Sequence, residues 1–135
     1  MTAREFLDQY KEAERVARLY REAYETELQR IDTIGSPLGD GTPHGGQISR
    51  TVENRAVRLA EKAEEWKLAE LEAQEVKDRV TEVVMQVKGA KGAVLFERYV
   101  NLKKWDNVAK SLHYTPRHCR NLHDEALEAV ERIIS

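Results

Sequence analysis

From Phe6 the apolar residues fall at Phe6, Tyr10, Ala13, Ala17, Tyr20 and Tyr24, in alternating steps of four and three, before Leu28 and Ile31 shift the pattern by one residue. That spacing predicts a helix with a coiled-coil-like seam. The stretch from Asp32 to Gln47 then holds Gly35, Gly39, Gly41, Gly45, Gly46, Pro37 and Pro43, a concentration of breakers through which no helix is expected to continue. Ser49 can cap a second helix, with Glu53 near the positive end of its dipole. Its seam runs through Val52, Ala56, Leu59, Ala63, Trp66, Ala69 or Ala73, Val76, Val80, Val83 or Val84, and Val87, and reaches Lys88 without a breaker. At 1.5 Å per residue it would be about 60 Å long, a length that globular helices seldom reach unless they are coiled. Gly89 and Gly92 are expected to close it, and three shorter helices follow at about 93–101, 105–112 and 116–134.

These elements predict an all-α protein: a long antiparallel helical hairpin at 1–88, with a Gly/Pro-rich loop at 32–48, followed by a separable helical domain at 89–135. The first helix is shorter than the second and covers it only to about Val76. The stripe from Val80 to Val87 therefore needs a cover, from the C-terminal domain or from another copy of the chain.

Composition narrows the picture. Three prolines and seven glycines among 135 residues suit a helical chain, and no apolar run is long enough for a bilayer, so a soluble, cytosolic protein is expected, with no membrane contact. The lone cysteine, Cys119, rules out an intramolecular disulfide. A net charge of −2 excludes a broad basic field, but the distribution is uneven. Arg98, Lys103, Lys104, Lys110, Arg117 and Arg120 face only Asp106 between residues 98 and 120, so any contact with an anion should be local to that block.

The same block has the pattern of a helix-turn-helix. Val108 and Leu112 lie one turn apart on an inner face, Ala109 is a small contact residue, Tyr114 is the apolar turn residue, and Cys119 and Leu122 face inward from the second helix. Thr115 and Pro116 are a strong start signal for that helix. The helical period then turns Arg117, His118, Arg120, Asn121 and Asp124 outward. Arg can bond guanine edges bidentately and Asn can do so for adenine.

Arg98-Tyr99, Trp105, Val108-Ala109, Leu112, Tyr114-Thr115, Arg117, Leu122-His123 and Ala126-Leu127 together resemble the DNA-binding fourth region of bacterial sigma factors, and more closely the ArpU/RinA-type phage transcriptional regulators. The resemblance covers the last third of the chain in motif detail and the remainder in architecture alone. It implies a phage-encoded, late-gene type regulator that acts in the cytoplasm of a bacterial host. Two positions depart from the pattern: His113 replaces the usual turn glycine, and Lys104 stands where Ser or Thr would cap the first helix of the motif.

The expected activity is sequence-specific binding of double-stranded DNA. Arg117, His118, Arg120 and Asn121 supply the reading face, while Lys103, Lys104, Lys110 and Thr115 hold phosphates. The N-terminal helices would pair copies into a homodimer or higher oligomer, or contact RNA polymerase. A small-terminase-like packaging protein and a sigma- or polymerase-binding adaptor are the alternatives. Cys119 and His123 have metal-ligand spacing but lack the partners of a tetrahedral site, and the glycine-rich segment lacks the ending of a phosphate loop. No cofactor, no metal and no enzymatic activity are expected.

Overall fold

The computed structural model of the protein describes residues 1–34 and 45–135, with side chains at 1–30 and 50–135. The described residues are helical and include no strand. Helix α1 is Ala3–Ile34, α2 is Gly45–Val84, α3 is Ala90–Leu95, α4 is Trp105–Leu112 and α5 is Pro116–Ile134; a π-helical turn, Phe96–Val100, continues α3. None of them is long and apolar enough to cross a membrane.

Local chemistry sets several of these ends. Thr2 and Glu5 form a reciprocal cap, Thr2 Oγ1 accepting from the Glu5 amide at 3.2 Å and a Glu5 carboxylate oxygen accepting from the Thr2 amide at 3.4 Å, so α1 starts earlier than its apolar seam. Helix α1 extends to Ile34 and α2 already begins at Gly45. Residues 32–34 and 45–48 of the expected 32–48 loop are therefore helical, while 35–44, with the phosphate-loop reading that fell on them, lie outside the described residues. Ser49 is inside α2 instead of capping it. The other end of α2 comes at Val84, short of Lys88, and tightens there through bonds from the Gln86 amide to the Val83 carbonyl and from the Val87 amide to the Val84 carbonyl.

The chain divides into two compact units. One comprises residues 15–71. Within it the rings of Tyr24 and Trp66 lie 5.4 Å apart, and among its described side chains only Ala17 and Glu27 are buried. Glu27 is paired with Arg30 at 3.6 Å.

The other unit comprises residues 1–14 and 72–135. Its main core joins Ala3, Leu7 and Tyr10 of α1 and Val76, Val80 and Val84 of α2 to Val87, Leu95, Tyr99, Val100, Ala126 and Val130. The valine stripe thus has its cover from the first residues of α1 and from the C-terminal helices. The division of contacts does not fall at the expected 88/89 boundary, because this core spans it. Pairing along the first ten residues of α1 brings its seam onto the end of α2, which sequence periodicity alone could not assign.

A second cluster, Val94, Val108, Ala109, Cys119 and Leu122, ties α3, α4 and α5 together. Gly89 and Gly92 have different roles from those expected. Gly89, at φ +77°, is the residue preceding α3, while Gly92 lies within it, buried, where a Cβ would collide with the carbonyl oxygen of Val87. Gly92 is therefore a crossing point of two chain segments and not a helix terminator.

Candidate nucleic-acid interface

Helices α4 and α5 are joined by a turn that sequence chemistry specifies closely. His113 takes the left-handed conformation, φ 58° and ψ 39°, as its place in the turn requires. The Tyr114 amide donates to the Ala109 carbonyl at 3.0 Å and the His113 amide to the Lys110 carbonyl at 3.3 Å, which closes α4 with the bond pair usual for a glycine stop. Thr115 Oγ1 then accepts from the His118 amide at 3.2 Å, and Pro116 occupies the first helical position of α5. Lys104 makes no side-chain cap on α4, leaving Asp106 in the first turn as the acidic complement to the helix dipole.

The inner face follows the sequence pattern. Val108, Ala109, Cys119 and Leu122 are buried, and Leu112 and Tyr114 pack against them partly buried. Burial pushes the Cys119 thiol above its ordinary pKa, so it is a protonated, small apolar filler. Among the described residues no group of three or more His, Cys, Asp or Glu is placed to hold a metal ion.

On the other side of α5, Arg117, His118, Arg120, Asn121 and Asp124 are all exposed, and Lys104, Lys110 and Thr115 are exposed around the turn and on α4. The ring of His118 meets that of Tyr114 edge-on, with centroids 4.9 Å apart. Among the described residues, Arg117, Arg120 and Asn121 have no ion-pair or side-chain hydrogen-bond partner, so their donors are available to a ligand.

Two members of the basic block are engaged elsewhere. Lys103 is half-buried; its ammonium pairs with Glu97 and donates to Ser111 Oγ at 3.1 Å. It is a strut between the π-helical turn and α4, in contrast to the phosphate contact expected of it. Arg98 folds over the Trp105 ring, 4.9 Å from its centroid, and donates to the Lys103 carbonyl at 2.9 Å. That bond helps hold Leu102 at a positive φ of 56°, a conformation a leucine takes only under constraint.

Sequence periodicity gave no hint of the polar cluster beneath this linker. His123 is buried, its Nε2 lies 2.6 Å from Tyr99 Oη, and the Trp105 ring meets it edge-on at 4.7 Å. Burial lowers the His123 pKa from its ordinary value and raises that of Tyr99. An imidazole kept neutral and a phenol kept protonated can share that hydrogen bond, which fixes α5 against the π-helical turn. The signal available in sequence was an aromatic-histidine set, Tyr99, Trp105 and His123, within a helical pattern. The π-helical register, with the Asn101 amide donating to the Phe96 carbonyl, is what brings Tyr99 round to His123.

Comparison with known proteins finds no match for this chain: no family model, no curated protein and no solved structure is similar to it.

Proposed function

We propose that the chain is a sequence-specific regulator of transcription that binds double-stranded DNA, of the phage late-gene type, in which α4, the turn at His113 and α5 act as a helix-turn-helix. Helix α5 enters the major groove, with Arg117, His118, Arg120 and Asn121 directed to base edges and Lys104, Lys110 and Thr115 to the flanking phosphates. One observation carries this reading. The guanidinium and amide groups of Arg117, Arg120 and Asn121 are exposed side by side on one face of α5, without partners among the described residues, while the opposite face is buried against α3 and α4. A solvated surface helix usually pairs such charges with acids one turn away; here Asp124, one turn from Arg120 on the same exposed face, makes no ion pair with it, and Glu125 is paired with Lys91 at 3.5 Å. Lys103 is left out of the contact set because its ammonium is bound to Glu97.

Selection of bound fragments from random duplex DNA, at two salt concentrations, tests the proposal. Once a preferred site is in hand, Arg120→Ala should weaken binding to it by about 1–3 kcal/mol and relax preference at one base pair, with a smaller effect on random duplex. Lys110→Ala should weaken both targets alike and lower the salt slope by roughly one unit. Equal losses on both targets for Arg120→Ala would remove base readout. No salt-dependent affinity at all would remove DNA binding and leave a protein-binding adaptor.

A further inference from the structure

The outward face of α5 carries one group that its cations do not explain. Cys119, Leu122, His123, Ala126 and Val130 are buried on the inner side of the helix. The line opposite them, in steps of four, three and four, is Arg117, Asn121, Asp124 and Glu128, all exposed. Asp124 stands about 20° round the helix from Arg117 and about 40° from Arg120, between the two. It makes no ion pair and no side-chain hydrogen bond among the described residues.

Phosphate repels a carboxylate, so on a surface that held DNA by its backbone alone Asp124 would only weaken binding. Its chemistry suits a base edge that donates. Arg117 and Arg120 can only donate, Asn121 does both, and Asp124 can only accept.

We propose that Asp124 is a specificity-determining residue of α5, accepting a hydrogen bond from the N4 amine of a cytosine about one or two base pairs from the base that Arg120 reads. This role rests on the DNA-binding reading of α5. Axial distances give the position: Asp124 lies about 6 Å beyond Arg120 along the helix, and base pairs are stacked about 3.4 Å apart. Cytosine is the base that fits. Its groove edge offers N4 as a donor with no acceptor beside it, whereas adenine sets N7 next to its amine, and guanine and thymine turn acceptors to the carboxylate. A wrong base there leaves a desolvated carboxylate facing lone pairs, so Asp124 selects by exclusion as much as by attraction.

Glu128 lies about 6 Å further along the same line. The groove winds through a full turn in about 10 base pairs, so a straight helix follows base edges over only a few of them before its far end nears a phosphate strand. Asp124 is thus placed over bases and Glu128 beside phosphates, and neutralising the two acids has different outcomes.

The test is selection from random duplex DNA by the full chain, with the wild type beside Arg120→Ala, Asp124→Asn and Glu128→Gln, followed by titration of the selected and random duplexes. The base whose preference Arg120→Ala relaxes marks the position that Arg120 reads. The wild-type site should hold a cytosine next to it or one step beyond, and replacing that cytosine should weaken wild-type binding about fivefold or more. Asp124→Asn should lose the preference there and keep the one at the Arg120 base, with helicity unchanged because Asp124 is exposed. Glu128→Gln should strengthen binding to both duplexes alike and keep the cytosine. A wild-type site without that cytosine, or a cytosine preference that survives Asp124→Asn, would overturn the inference and leave the DNA-binding reading standing. So would an Asp124→Asn chain that merely gains affinity for both duplexes alike, since its carboxylate would then have faced phosphate. A wild-type chain with no salt-dependent affinity for any duplex would overturn both.

Discussion

Replacing Tyr99 by Phe removes one oxygen and keeps the ring, and its effect can be worked out from the contacts around it. The lost oxygen is the one 2.6 Å from His123 Nε2, and both side chains are buried. Without it a buried imidazole nitrogen faces hydrocarbon, which costs about 1–3 kcal/mol. In a chain of this size 1 kcal/mol moves Tm by about 3–5 °C, so Tyr99→Phe should lower Tm by roughly 3–15 °C. Changing both residues to Phe removes the orphaned nitrogen too, so the double-mutant cycle should show a coupling of about 1–2 kcal/mol. The pH dependence has a definite sign. Burial disfavours the imidazolium, with Arg4 and Arg98 adding to the effect and Asp124 and Asp8 opposing it, so the folded pKa lies below the unfolded one. The unfolded chain then takes up a proton that the folded chain refuses. Stability from neutral His123 is fully present above the unfolded pKa of about 6.5 and is lost as pH falls through it toward the folded value. Thermal unfolding followed by circular dichroism at about pH 7.5 and pH 5.5 should show a larger acid loss in the wild type than in His123→Phe. An unchanged Tm in Tyr99→Phe, or an acid loss in His123→Phe equal to that of the wild type, would refute the reasoning.

Two further outcomes follow from the fold. A fragment of residues 89–135 lacks Ala3, Leu7, Tyr10, Val76, Val80, Val84 and Val87 of the main core, so it should be largely unfolded by circular dichroism; a cooperative thermal transition in it would show that the cluster around Cys119 is enough. His113→Gly relieves a left-handed residue already bonded as a helix stop, and should raise Tm by a few degrees, about 0.5–1 kcal/mol after the entropy of the unfolded glycine is counted; a fall in Tm would mean that the His113 ring contributes a contact.

How far the sequence reaches depends on whether a feature is local. The bounds of α4 and α5 were legible to the residue, since Thr115-Pro116 and the left-handed turn at His113 act over a few positions. The inner faces were legible for the same reason, because Val108, Cys119 and Leu122 obey one helical period. The cap at Thr2 has its local signal in Glu5 three residues on, but both lie ahead of the apolar seam, which starts at Phe6. The placement of Val80–Val87 is a matter between distant segments, and periodicity left it open. Lys103 and Arg98 looked like surface cations because their partners, Glu97 and the Lys103 carbonyl, come into reach only through the π-helical register and the strained Leu102.

The bond from the Ala3 amide to a Glu131 carboxylate oxygen, 2.6 Å long, connects residues 128 apart. Its consequence lies in the order of assembly. At about 5–20 residues per second, a ribosome needs roughly 6–25 s to travel from one partner to the other. Throughout that interval the apolar side of α1 at Leu7 and Tyr10 has no α5 to pack on, although α1 itself can wind within microseconds. Docking of such distant segments is slow relative to helix formation, because loop closure precedes any gain from contact. The joining of α1 to α5 through Ala3 and Glu131 can therefore come only after the last residues are synthesised, later than the contacts of α5 with α3 and α4, which are closer in sequence.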